Sequence, residues 1–200
     1  MNIGLYFGSF NPVHNGHLII ANFALQNEKI DEVWFVVSPL NPFKKDQKLL
    51  NEQHRLNLVR TAIDGETKMK ASSVEFQLSK PSYTSVTLVY LKEKYPNHKF
   101  SIIIGSDSFN NIENWKNSDY IINNYSFLIY KRPGFEVQKN EKVMYNVFDA
   151  PMLEISSTLI RKMIAENKSV RFLVPDNVYE EIKINNYYRD KLKEPTQKDT

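Results

Sequence analysis

The residues with the most chemical content follow the first apolar run of the chain. They read Gly8-Ser9-Phe10-Asn11-Pro12-Val13-His14-Asn15-Gly16-His17. A Gly, a Pro and another Gly between a strand and a helix make a loop, opened by Gly8, Ser9 and Phe10, whose backbone N–H groups can point at an anion. His14 and His17 are three apart, so they can share one face as the helix begins. Gly16 between them lets a ligand approach the backbone closely. Two imidazole donors at a helix N-terminus suit phosphate oxygens, and a first turn without Asp or Glu leaves the positive dipole end free. A tight loop with two surface histidines is the plainer explanation. Half of the chain's four histidines lie within these four residues, at the end of a strand, and that favours a site. A metal pair would need a further carboxylate or imidazole, and none is adjacent in sequence.

A second stretch is Ile155-Ser156-Ser157-Thr158-Leu159-Ile160-Arg161. Ser156 is a natural N-cap, Ser157 and Thr158 bring hydroxyls to the first turn, and no Glu or Gln completes a capping box. An Arg near a helix N-terminus is electrostatically unfavourable unless an anion offsets it. Hydroxyls, N–H groups and a guanidinium together make a phosphate site. Taken alone, the stretch reads better as an ordinary Ser-capped amphipathic helix. A third stretch, Ile104-Gly105-Ser106-Asp107, ends another apolar run. An acid just past a parallel strand can accept from ribose hydroxyls, and a helix cap by Ser106 or Asp107 fits the same residues.

Positioning these groups requires a framework of α/β type. The runs Ile3–Phe7, Val33–Val37, Phe100–Ile104 and Tyr125–Tyr130 are rich in β-branched and aromatic residues and alternate poorly. Strands buried on both faces read this way. Val74–Leu78 and Val143–Phe148 are further expected strands. Helix-length segments lie at Gly16–Glu28, Asn51–Ile63 and Ser82–Lys94, followed by Ser157–Asn167 and Asp176–Asn185 with Pro175 at its start. Alternating strands and helices predict a Rossmann-like, doubly wound, mostly parallel sheet with helices on both faces and a helical C-terminal part. Ligands in such sheets sit beyond the carboxyl ends of the strands at the switch point. One domain over 1–188 and a polar tail over 189–200 are the expected organisation.

Composition removes several alternatives. With 42% apolar and 24% charged residues, 200 residues build an ordinary core rather than a disordered chain. The absence of cysteine excludes disulfides, zinc–thiolate sites, iron–sulfur clusters and cysteine nucleophiles. A net charge of +3 is too weak to predict a nucleic acid or an anionic membrane as partner. No apolar stretch approaches the ~18–20 residues of a membrane span. The N-terminus has no basic region before its apolar run. A cytoplasmic protein is expected, with room left for self-association.

The His-x-Gly-His pattern with its Gly-Ser-Phe-Asn-Pro lead resembles the signature of the nucleotidyltransferase superfamily. Paired with Ile155–Arg161, it resembles nicotinate-nucleotide adenylyltransferases and related adenylyltransferases. The resemblance runs from about Ile3 to Tyr188. It implies that Gly105 and Asp107 meet a nucleotide, and that Ser82, Tyr83, Thr84 and Trp115 line a pocket for a pyridine ring and its carboxylate. Lys131-Arg132-Pro133-Gly134-Phe135 resembles a loop near the adenine, and Leu173-Val174-Pro175-Asp176 a C-terminal helix entry. Departures are also present. Phe7 and Asn11 stand where many relatives carry Gly and Asp, and Phe43 stands where they carry His, while the cation Lys44 is kept. Lys68-Met69-Lys70-Ala71-Ser72 faintly resembles the Lys-Met-Ser-Lys-Ser loop of class I aminoacyl-tRNA synthetases. It comes too early in too short a chain, and reads as strand.

The resemblance implies adenylyl transfer from ATP to nicotinate mononucleotide, giving nicotinate adenine dinucleotide and pyrophosphate. His14, His17, Lys44 and Arg161 would serve the phosphates, with Ser156, Ser157 and Thr158 adding donors. Mg²⁺ would arrive with the ATP, held mainly by phosphates and water. Rival readings are a related enzyme using nicotinamide mononucleotide or a phosphopantetheine acceptor, and a non-catalytic nucleotide sensor.

Overall fold

Six parallel strands form one sheet in the order β3-β2-β1-β4-β5-β6. This comes from a computed structural model that describes residues 1–40, 49–151 and 153–189. The strands are β1 (Asn2–Gly8), β2 (Glu32–Val37), β3 (Met69–Ser72), β4 (Lys99–Gly105), β5 (Ser126–Tyr130) and β6 (Tyr145–Phe148). The helices are α1 (Asn15–Asn27), α2 (Glu52–Ala62), α3 (Thr84–Lys94), α4 (Ser106–Phe109), α5 (Ser118–Asn124), α6 (Ser157–Ala165) and α7 (Asp176–Ile184). The chain winds outward from β1 to β3, then returns to start again beside β1 with β4. The β1/β4 boundary is therefore the switch point that a doubly wound sheet provides.

Poor alternation in the apolar runs has a direct structural cause. Successive side chains of a strand point to opposite faces, and here both faces are covered. Tyr6, Val33, Phe35, Val37, Ile103 and Leu128 pack with residues of α1, α2, α6 and α7. Their neighbours Ile3, Leu5, Trp34, Val36, Ile102 and Phe127 pack with α3, α4 and α5 on the other side. Ile3, Leu5, Val33, Phe35, Val36 and Val37 are all fully buried. Burying each such side chain is worth roughly 1.5–3 kcal/mol, so the strands specify the two-sided cover.

Two expectations are corrected. The Val74–Leu78 segment is not a strand: Val74–Gln77 is a 3₁₀ turn, closed by Phe76 N–H donating to the Ser73 carbonyl at 2.9 Å. Alternation over five residues fits a strand, but the place beside β2 is already taken by Met69–Ser72, in register with Val33–Val36. Pro175 caps α7 from outside instead of opening its first turn. The faint synthetase-like segment forms strand β3, as its sequence context predicts. Residues 190–200 of the expected tail lie outside the described residues.

Candidate functional site

The first motif begins where β1 ends. Phe10 holds the left-handed backbone region at φ 44°, a conformation that costs an L residue roughly 1–2 kcal/mol. Burial offsets the cost: the ring is 2% exposed, packed on Tyr6, Phe35 and His17. His14 is the N-cap of α1, and His17 occupies the third helical position. The backbone N–H of His14 donates to His17 Nδ1 at 3.2 Å, as a Glu or Gln would accept in a capping box. With Nδ1 accepting, the proton of a neutral His17 ring sits on Nε2. The two imidazoles stack, centroids 3.7 Å apart at an interplanar angle of 24°. The His14 ring lies against Gly16, where an added Cβ would meet Nδ1 at 3.1 Å. The first turn of α1 carries no acidic residue.

Burial pushes the pKa of His14 down to about 4, and the nearby positive charge of Arg132 pushes the same way. His14 is therefore neutral at pH 7, a polar group and not a charge at the start of α1. Its Nδ1 is buried without a hydrogen-bond partner.

The second motif docks on the first. Ser156 caps α6 by accepting from Leu159 N–H at 3.1 Å. The Ser157 hydroxyl donates to the Pro12 carbonyl at 2.8 Å. Arg161 Nη1 donates to the Asn11 carbonyl at 2.8 Å, and Nη2 to Thr158 Oγ1 at 3.3 Å. Ser156, Ser157 and Arg161 thus spend part of their hydrogen-bonding capacity on the protein itself. That joins α6 to the histidine loop across 150 positions of sequence. The C-terminal segment adds a further tie, because Asn15 N–H donates to the Leu173 carbonyl at 2.9 Å.

The third motif closes the switch point. Asp107 Oδ2 lies 3.3 Å from Arg132 Nη1, and Arg132 Nη2 donates to the Tyr130 hydroxyl at 3.2 Å. Ser106 is not an N-cap; its hydroxyl accepts from Arg132 N–H at 2.9 Å. Gly105 makes room for this pair: a Cβ there would lie 2.6 Å from Asp107 Oδ1 and 2.9 Å from Arg132 Nε. Burial works against the charge of Arg132, and Tyr130 and Asp107 outweigh it, so the guanidinium stays charged. Tyr6, buried beside Tyr130, has its hydroxyl pKa pushed well up by that burial.

Tyr83 precedes α3 as its N-cap, and Thr84 opens the helix, again with no acidic residue in the first turn. The first N–H groups of a helix have no intrahelical acceptor. Ser82 is buried, and Trp115 is half-buried. Lys116 Nζ sits 4.1 Å from the centroid of the Tyr83 ring.

A single cleft of about 1430 Å³ collects these groups. The residues given phosphate, nucleotide or pyridine roles from the sequence line it (Gly8, Ser9, Phe10, His14, Gly16, His17, Ser82, Tyr83, Thr84, Gly105, Asp107, Trp115, Arg132, Ser156, Ser157, Thr158 and Arg161), whereas Ser106, Gly134 and the Leu173–Asp176 segment do not; Lys44 and Phe43 lie outside the described residues. Sequence reasoning missed Arg55. This side chain is fully buried on α2 and, among the described residues, donates to four carbonyls: Leu50 at 2.8 Å, Ser9 at 2.5 Å, Ser38 at 2.8 Å and Pro39 at 3.1 Å. It ties the loop after β1 to the loop after β2. The signal was present, since Arg55 shares the apolar face with Leu58, Val59 and Ala62 at helical spacing. Tyr130, Lys116 and the buried Glu75 were missed as well. Among the described residues, no group of three or more His, Cys, Asp or Glu is placed to hold a metal ion, and no helix is long and apolar enough to cross a membrane.

Known proteins share this arrangement. The cytidylyltransferase-like family model matches residues 5–163. A protein of Flavobacterium johnsoniae named "Probable nicotinate-nucleotide adenylyltransferase" is 46% identical over 94% of this chain and 100% of its own length. One of the same name from Cytophaga hutchinsonii is 48% identical over 94% of this chain and 98% of its own. The solved nicotinic acid mononucleotide adenylyltransferase of Plasmodium falciparum, complexed with NaAD, matches with a TM-score of 0.81 at 24% identity. It covers 94% of this chain and 97% of that one. At that identity it speaks to the fold.

Proposed function

The chain belongs to the nicotinate-nucleotide adenylyltransferases of the cytidylyltransferase-like family, and from that premise we propose that it transfers the adenylyl group of ATP to nicotinate mononucleotide. The products are nicotinate adenine dinucleotide and pyrophosphate. The observation that carries this reading is the joining of the two phosphate motifs, through Ser157 and Arg161 on the carbonyls of Pro12 and Asn11. Residues 1–188 act as one catalytic domain in this reading, in a cytoplasmic setting.

The phosphate of the mononucleotide attacks the α-phosphorus of ATP in line. A bond forms from that oxygen to phosphorus, and the bond to the departing pyrophosphate breaks. The nucleophile is already an anion at pH 7, so no general base is required and no covalent enzyme intermediate arises. The obstacle is crowding of negative charge, which positioned donors relieve. His17 offers an Nε2–H donor at the N-terminus of α1, held there by the contact at Nδ1. His14, neutral and stacked behind it, fixes the orientation of the ring. Arg161 neutralises the phosphates that leave as pyrophosphate, with Lys44 as the second cation that the sequence offers. Asp107 accepts from ribose hydroxyls, with Arg132 beside the adenine. Ser82, Tyr83, Thr84 and Trp115 take the pyridine ring.

Mg²⁺ prefers oxygen ligands, whereas the donors around the phosphate path are imidazole, guanidinium and hydroxyl groups, and Asp107 is engaged by Arg132. These residues suit an ion held by phosphate oxygens and water, not by a protein cage. Such an ion offsets the charge of the triphosphate.

Mixing the protein with ATP and either pyridine mononucleotide, and following pyrophosphate and dinucleotide, tests the proposal. Release with nicotinate mononucleotide, at a higher kcat/KM than with the nicotinamide form, is the expected result. Silence with both, and with a wide panel of phosphate acceptors, would leave a nucleotide sensor instead.

A further inference from the structure

Glu75 lies on the 3₁₀ turn Val74–Gln77, is 1% exposed, and lines the cleft beside Ser82, Tyr83 and Thr84. The transfer mechanism above does not use it. Its Oε1 lies 2.8 Å from Thr87 Oγ1 on α3, and that hydroxyl is also 3.4 Å from the Tyr83 carbonyl. The Thr87 hydroxyl donates to the carboxyl and, as a weaker second branch, to that carbonyl, so it links Glu75 to the turn that opens α3. Its other oxygen, Oε2, is buried, as is the hydroxyl of Ser82, and the hydroxyls of Ser38 and Ser82 lie close enough to act on the carboxyl. A cluster of buried polar groups thus surrounds the start of α3.

We propose that Glu75 is a positioning and specificity-determining residue of the pyridine subsite, fixing the Ser82–Ser85 turn through Thr87 and forming with Ser82 the polar wall that reads the acceptor's ring substituent. The inference rests on the functional reading above and deepens it. A carboxylate anion in this wall would repel an acceptor that carries a carboxylate, whereas an uncharged acid donates a hydrogen bond to it. Burial raises the pKa of Glu75, and only the hydroxyls of Ser38, Thr87 and Ser82 oppose that rise. Among the described residues no cation contributes to its titration. Lys116, the cation placed on this subsite, is engaged over the Tyr83 ring.

Steady-state kinetics of the full chain with each mononucleotide, from about pH 5 to 10, provides the test. For the wild type, KM for nicotinate mononucleotide should rise as pH climbs through the Glu75 titration, while KM for ATP stays level. Glu75→Gln, uncharged throughout, should flatten that rise. Thr87→Val should raise the acceptor KM by about tenfold with kcat and the ATP KM within about twofold, and it keeps the test alive if Glu75→Gln fails to fold. A Glu75→Gln variant that follows the wild-type pH profile overturns the inference. So does a Thr87→Val variant that changes the acceptor and ATP constants alike. A wild type that adenylylates neither mononucleotide sinks the functional reading and this inference together; a working wild type with indifferent variants sinks the inference alone.

Discussion

Arg55 should be the most sensitive position outside the phosphate cradle, and Arg55→Met isolates why. Methionine approximates the length of the side chain and removes all four donations, to Leu50, Ser9, Ser38 and Pro39. An acceptor left unsatisfied in a buried place costs about 1–3 kcal/mol, and water entering the gap relieves part of the sum. Removing the buried charge itself returns some energy, because burial already holds the Arg55 pKa below its usual value. Loss of a buried hydrogen-bond network is among the larger single-substitution effects, here roughly 3–5 kcal/mol. For a chain of this size that corresponds to a fall in Tm of about 6–20 °C.

Urea unfolding followed by fluorescence reads the change as a shift in midpoint at constant slope. The same variant should lose affinity for ATP at temperatures where it is still folded, because the Ser9 and Ser38 carbonyls belong to loops that line the cleft. Arg55→Lys should fall between the two, since an ammonium cannot reproduce a planar fork of donors. A stability change under about 1 kcal/mol, with ATP affinity intact, would refute the idea that this guanidinium builds the site.

Other outcomes follow from the same geometry. His17→Ala should lower kcat by about 10²–10³-fold, and unchanged turnover would contradict its place at the α-phosphoryl group. Gly105→Ala puts a Cβ 2.6 Å from Asp107 Oδ1 and 2.9 Å from Arg132 Nε; parting that pair should raise the KM for ATP about tenfold, which titration with ATP would show. His14 has a folded pKa of about 4 against an ordinary 6.5. The unfolded chain therefore binds its proton first as pH falls, and stability present above pH 6.5 drains by about 3 kcal/mol on the way to pH 4. Urea midpoints of the wild type and His14→Gln across that window should differ by this amount and converge above pH 7.

The framework was legible because parallel strands covered on both faces have a compositional mark. Val33–Val37 has no polar position, and all five residues are buried. The site motifs were legible because glycine, histidine and hydroxyl residues stand where strands end. Two kinds of information were not visible. The 3₁₀ turn at Val74–Gln77 carries strand-like alternation, and only the occupancy of the sheet edge by Met69–Ser72 decides against it. The second kind is contact across sequence. Nothing near Glu75 announces Thr87 or Ser82, and nothing near Arg55 announces Ser9, 46 positions away. The apolar face of α2 flagged an anomalous arginine, but not what it holds.

Charge in the cradle is divided in a way that the residue types alone conceal. Two imidazolium ions 3.7 Å apart would repel each other by about 4 kcal/mol at an effective dielectric constant of 20. Burial and the field of Arg132 have already removed the charge from His14. The stacked pair therefore contributes at most one positive charge, and its value is directional: an N–H donor aimed from the first turn of a helix. The lasting positive charge comes from Arg161 and Arg132, each oriented by a neighbour, Asn11 for one and Tyr130 with Asp107 for the other. A donor of this kind stabilises the charge that builds on the phosphoryl oxygens without holding the triphosphate more tightly beforehand, and that difference is what lowers a barrier. It follows that replacing His17 should depress kcat with little change in KM for ATP, whereas replacing Arg161 should change both. Equal effects of the two substitutions on both constants would show that the imidazoles serve only as binding charges.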